Sequence, residues 1–224
     1  MGELDRTISL AINSLHCPAS DAFWIFLSDR FTTAVIYIII LGIMFWKLGW
    51  KKALLMLLTT AIILGIEDQI CNIIKDGIAR LRPGNDPIML ERGLHLPIPA
   101  SARHIYGFPS AHAANAFGFL TCVAFFFHAH LRGSLDGQTH GHHHHCFRSS
   151  GEQVATGVIN AKDAVVVKWT NCVLCVWAVL ISLSRVFLAK HYVGDILFGA
   201  FLGWLIALFG CHIAIILWRR FAKK

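Results

Sequence analysis

The sequence predicts an all-α integral membrane protein with about five transmembrane helices, preceded by N-terminal interfacial amphipathic helices. Three observations carry that prediction. Hydrophobic residues make up 56% of the 224 positions, and the mean hydropathy is +0.60. The apolar residues gather in runs of about the length a bilayer core requires. Charged residues collect at the ends of those runs, so the formal charge of +7 and pI near 9.2 read as topology signals and anion ligands, not as a nucleic-acid surface. One domain over 1–224 is expected.

Residues 1–30 form the interfacial segment. Two short amphipathic pieces occupy 7–28, with Ile8, Ile12 and Leu15, then Phe23, Phe26 and Leu27, broken around Pro18. No basic n-region precedes an apolar core, so no cleavable signal is expected, and Arg6 stands where a myristoylation motif wants Ser or Thr. The first span, about 31–47, ends on Trp46 and Trp50 with Lys47, Lys51 and Lys52. The second, about 52–75, begins apolar and turns polar at Glu67, Asp68, Asn72 and Lys75. A loop rich in Pro and Gly covers 76–108. The third span, about Ser110 to His130, follows Phe108-Pro109. A polar, His-rich loop occupies 131–163, and the remaining spans are about 164–186 and 192–218. No internal repeat is visible. The seven cysteines sit mostly in apolar segments, where a free thiol behaves as a small hydrophobe, so no disulfide framework is implied. Cys172-x-x-Cys175 lies mid-span, outside the strand–helix setting of a redox motif.

Basic residues of the short flanks set the orientation. Lys47, Lys51, Lys52, Arg132, Arg148, Lys162, Lys168 and the tail Arg219, Arg220, Lys223 and Lys224 mark one side as cytoplasmic. The N-terminal segment, the 76–108 loop and the junction of spans four and five then face outward.

Three charged clusters share that outward face. Lys75-x6-Arg82-Pro83 puts two cations around a turn, because a proline disfavours further helix at the residue before it. In isolation these are cations snorkelling from a helix end. In Pro109-Ser110-Ala111-His112, Ser110 is an N-cap, and the free N–H groups of the first turn form an anion site with His112 beside it. Ser184-Arg185-x5-His191-x3-Asp195 joins two apolar runs. If His191 begins a helix, Asp195 lies one turn on and can hold the imidazole in one tautomer. Together the clusters supply what phosphoryl transfer needs: cations and backbone donors for the oxyanions, and two histidines for nucleophile and acid.

These three motifs, in this order and on these helix ends, resemble the signatures of the type-2 phosphatidic acid phosphatase superfamily, and the resemblance covers about 20–218. It implies a helical membrane core and metal-independent, cofactor-free hydrolysis of lipid phosphates or diphosphates through a phosphohistidine. By position, His191 would be the nucleophile, oriented by Asp195, and His112 the acid for the leaving oxygen. Lys75, Arg82, Arg185, Ser110 and the N–H groups from Ala111 onward would bind the phosphate. The second motif usually has Gly where this chain has Ala111, a methyl that a helical residue tolerates. Many relatives have six spans and this chain five.

Outside the motifs, Asp68, Asn72 and Lys75 share a helix face, so Asp68 is a candidate support for the basic cluster. A carboxylate at a membrane centre costs about 2.5–3.5 kcal/mol on insertion scales, which favours a structural hydrogen bond to a neighbouring helix. The loop residues Arg92, His95, Arg103, His104 and Tyr106 either cover the site or lie on the interface. Lys190 fits no part of the pattern and reads as a snorkelling cation. His142, His143, His144 and His145 are weak metal candidates on the face opposite the motifs, so no catalytic metal is expected.

The expected substrate is a lipid phosphate in the bilayer at the outer face of the inner membrane. Undecaprenyl diphosphate and lipid A phosphates are favoured over phosphatidylglycerol phosphate and phosphatidic acid. Two other classes compete: a divalent-cation transporter served by the histidine loop, and a lipid-phosphate binding or flipping protein without turnover. The spans offer the transporter only Glu67 and Asp68 as acids, and the paired histidines speak against the second. Oligomeric state is not legible.

Overall fold

The computed structural model describes residues 2–135 and 161–221, so the histidine run at 140–146 lies outside the described residues. Two amphipathic helices open the chain, α1 (Glu3–Asn13) and α2 (Pro18–Ser28). Their break falls at Pro18 because proline suits a first helical turn, where its missing N–H is not needed. Asp29 starts α3 (Arg30–Leu48), its carboxylate accepting from the N–H groups of Phe31 (2.9 Å) and Thr32 (3.0 Å). Gly49, at φ 75°, separates α3 from α4 (Trp50–Ile78).

A short α5 (Pro87–Glu91) and a preceding 3-10 turn at Pro83–Asn85 give structure to the stretch expected to be loop. Its base is closed by an antiparallel bridge between Leu81 and Tyr106. Then come α6 (Ala111–Leu131), α7 (Ala161–Phe187) and α8 (Val193–Phe221). Among the described residues, α3, α4, α6, α7 and α8 are long and apolar enough to cross a membrane, matching the five expected spans. Ile38, Trp46, Ile62, Val173 and Phe209 turn outward from them as a lipid-facing surface.

Helix α6 is the hub, packed against α4, α7 and α8. Small residues permit this. Gly199 and Gly203, one turn apart on α8, lie against the backbone of Ser110 and Ala114, where any Cβ would collide. Lipid tails are as apolar as leucine, so such close backbone approach substitutes for the hydrophobic force that drives helix pairing in water. Gly118 of α6 accommodates the Glu67 carboxylate of α4 in the same way. Met56, Ile63, Phe119, Cys122, Phe126 and Cys211 fill the core between these helices. The polar face of α1 is directed into the protein: Ser9 and Asn13 are buried.

Candidate active site

Helix α4 delivers Lys75 in its last turn; the Ala79 N–H still donates to the Lys75 carbonyl at 2.9 Å, and the left-handed backbone of Ala79 (φ 50°) then turns the chain out of the helix. The chain then runs extended, so Arg80 and Arg82 point to one side. Arg82 Nε donates to the Tyr106 carbonyl at 3.1 Å. Burial lowers its pKa, and the Asp195 charge partly restores it.

Ser110 caps α6, its hydroxyl accepting from Ala113 N–H at 3.4 Å. Its own N–H donates to the Asp195 carbonyl at 3.0 Å, joining the second cluster to the third. Ala111 is the first helical residue, where a methyl is harmless. His112 is exposed one residue on, within electrostatic reach of Arg185, His191, Lys190 and Lys75.

Arg185 ends α7, 5% exposed, and donates to the Ser28 hydroxyl. The chain then folds back on it: the N–H groups of Lys190 and His191 both reach the Arg185 carbonyl, at 2.9 and 3.1 Å. His191 does not begin α8 but lies two residues before it. The one-turn relation to Asp195 holds even so, with Asp195 Oδ2 at 3.5 Å from His191 Nδ1 and accepting from Tyr192 N–H at 3.0 Å. The imidazole is 1% exposed. Burial first, and then the charges of Arg185, Arg82 and Lys75, push its pKa well below the ordinary histidine value, against a hydrogen bond with the Gly107 backbone. The ring is therefore neutral at physiological pH.

Lys75, Arg82, Ser110, Ala111, His112, Arg185, His191 and Asp195 thus come to one end of the bundle. Asp68 stands apart: it is exposed and accepts from Asn115 Nδ2 on α6 at 3.3 Å, with Lys75 in electrostatic reach. Glu67 is the buried acid of that pair.

The sequence does not mark five further residues as part of the site: Arg80, Asp5, Ser9, Asn13 and Lys190. Arg80 spans from Asp195 Oδ1 (2.6 Å) to Asp5 Oδ2 (2.7 Å), with its guanidinium 4.0 Å from the Tyr192 ring centre. The available signal was its extended i, i+2 spacing from Arg82. Helix α1 places Asp5, Ser9 and Asn13 on one face. Asp5 accepts from Gly194 N–H at 2.9 Å and Ser9 from Val193 N–H at 3.0 Å, occupying orphan donors of the first turn of α8. Lys190, read as a snorkelling cation, instead lines a small cavity of about 70 Å³ with Arg82. Burial, then Arg185, Arg82 and Arg30, lower its pKa.

Comparison with known proteins bears on the family and the fold. Residues 50–219 match the PAP2 superfamily. The chain is 27% identical over 211 residues to the lipid A 4'-phosphatase of Bacteroides thetaiotaomicron, covering 91% of this chain and 73% of that protein. It is 28% identical over 182 residues to the phosphatidylglycerophosphatase B of Bacillus subtilis (strain 168), covering 80% of this chain and 66% of the other. A crystal structure of a transmembrane PAP2-type phosphatidylglycerolphosphate phosphatase from Bacillus subtilis matches with a TM-score of 0.62, at 22% identity, over 94% of this chain and 84% of that one, a likeness of fold. Because the superfamily match runs from the start of α4 through α8 and takes in all three charged clusters, the chain belongs to the PAP2 superfamily of membrane lipid phosphatases.

Proposed function

We propose that the protein removes phosphate from a lipid phosphate or diphosphate at the outer face of the inner membrane, through a phosphohistidine on His191 and without a catalytic metal. The observation that carries this reading is a buried imidazole, facing Asp195 through Nδ1, within electrostatic reach of Arg185, Arg82 and Lys75. A neutral ring amid cations is nucleophilic, and the cations neutralise the incoming oxyanions. Its Nε2, the nitrogen turned from Asp195, attacks phosphorus and the bond from phosphorus to the leaving oxygen breaks. His112 gives that oxygen its proton. Water, losing a proton to His112, then cleaves the N–P bond, which releases phosphate and regenerates His191. Arg185, Arg82, Lys75 and the N–H groups at the start of α6 hold the equatorial oxygens. Asp195 orients His191 and stabilises its charge, and Arg80 and Asp5 hold Asp195.

Lipid A phosphates and undecaprenyl diphosphate are the favoured substrates, the former supported by the name of the Bacteroides relative. A phosphatidylglycerol phosphate is the second reading, supported by the name of the Bacillus relative. The test is phosphate release from a panel of these lipids and phosphatidic acid in detergent, with and without EDTA. We expect preferential turnover of one of the two favoured lipids, no release by His191→Ala, and little effect of EDTA. Release by His191→Ala from the same lipid would overturn the nucleophile, EDTA inhibition the metal-free chemistry, and preference for phosphatidylglycerol phosphate the substrate order.

A further inference from the structure

Away from the reacting groups, the α1–α2 junction, the first turn of α2 and the loop after α5 bring His16, Asp21 and His95 together. One ligand atom from each can be chosen so that all three lie within 4.8 Å of one another. We propose that these three side chains form a binding site for a divalent transition-metal ion of the zinc class, which braces the N-terminal segment against the loop.

The donor set fits that ion. Two imidazoles and one carboxylate suit Zn²⁺, while Ca²⁺ and Mg²⁺ prefer oxygen alone. Donors placed tetrahedrally at about 2.0–2.1 Å from Zn²⁺ stand a little over ~3 Å apart. The His95 Nε2–Asp21 Oδ2 pair, at 2.8 Å, is already that close. Only the exposed His16 has to close in, by side-chain rotation. Its ring now lies flat against His95, with centroids 3.7 Å apart and planes 12° from parallel. Ligation exchanges the proton between Nε2 and the carboxylate for the metal.

His95 is held for this role by its backbone. Asn13 grips it twice, donating to its carbonyl at 3.1 Å and accepting from its N–H at 2.9 Å. The same amide donates to the Phe187 carbonyl at the end of α7, at 3.0 Å. An ion at this site therefore stiffens α1, which supplies Asp5 and Ser9 to the start of α8. Exposure of His16 leaves the remaining coordination position to water.

The test uses the full chain in detergent, purified without a histidine tag, with His140 and His142–His145 replaced by alanine so that the histidine run does not bind. After EDTA treatment and its removal, Zn²⁺ is titrated calorimetrically and thermal unfolding is followed with and without it. We expect one equivalent to bind and raise the unfolding midpoint. His16→Ala, at an exposed position that does not threaten folding, and Asp21→Asn should each weaken binding about tenfold or more and remove the shift. His104→Ala should change neither. Unchanged binding in His16→Ala and Asp21→Asn, or no saturable binding in the parent, would overturn the site. Phosphate release is not the readout; EDTA inhibition that persists in His16→Ala bears on the proposed chemistry, and inhibition lost in that variant bears on this site, so the two outcomes stay separate.

Discussion

Asp195 divides its carboxylate among three partners. Oδ1 meets Arg80 at 2.6 Å, and Oδ2 is shared between Tyr192 N–H at 3.0 Å and His191 Nδ1 at 3.5 Å. Arg80 in turn is held by Asp5. Removing Arg80 frees the carboxylate to rotate away from the imidazole, the kind of supporting change that costs about 10- to 100-fold in activity. Arg80→Gln should therefore lower kcat with little change in KM, and Asp5→Asn should do so more weakly, as read from initial rates over a substrate series. Burial first, and then the cations around it, set the titration of His191. With its pKa held below the ordinary value of about 6.5, the acid limb of kcat/KM lies below that value. Arg82→Gln removes one repelling charge and should move the limb upward, even where turnover is low. The sign for stability agrees: an unfolded chain protonates this histidine first. Its contribution is present above the unfolded pKa and is lost as pH falls towards the folded one.

At the scale of elements, the close approach of α6 and α8 holds the second and third clusters in register. Ser110, the cap of α6, is pressed against Gly199 and donates to the Asp195 carbonyl. Gly203→Val inserts a branched side chain where the Ala114 backbone already sits, and should lower the thermal midpoint in detergent and activity with it. Gly65→Ala is the matched control: nothing lies near it, and alanine is favoured over glycine in a helix by about 1 kcal/mol, so stability should hold or rise. Helix α1 is also more than a membrane anchor. Ser9 and Asp5 satisfy N–H groups of the first turn of α8, and an interfacial helix lying loose on lipid would have left these to water.

For the whole molecule, if the five candidate spans among the described residues each cross the bilayer, α1 and the end of α8 lie on opposite faces. Lys47, Lys51, Lys52, Arg132, Arg219 and Arg220 mark the end of the bundle away from the site. Alkaline phosphatase fused after Lys224 should accordingly be inactive and green fluorescent protein fused there bright. The opposite result would turn the proposed site to the cytoplasm.

The spans, their order and the three charged clusters were legible from the residues alone. Length, hydropathy and helix-end chemistry are local properties, and Lys75, Arg82, Ser110, Arg185, His191 and Asp195 each stand at a helix end where that chemistry is legible. Which polar side chains turn inward emerged only in the folded chain. Asp5, Ser9 and Asn13 make the same amphipathic pattern whether they face water or the start of α8. Glu67 and Asp68 are adjacent acids, and helix phase together with Gly118 determines that the first is buried and the second is exposed to Asn115. Arg80 and Lys190 look like surface cations until the chain reversals at Ala79 and Ala189 bring one to Asp195 and the other beside Arg82. Pairings of that kind depend on where distant segments cross, a property that no local spacing encodes.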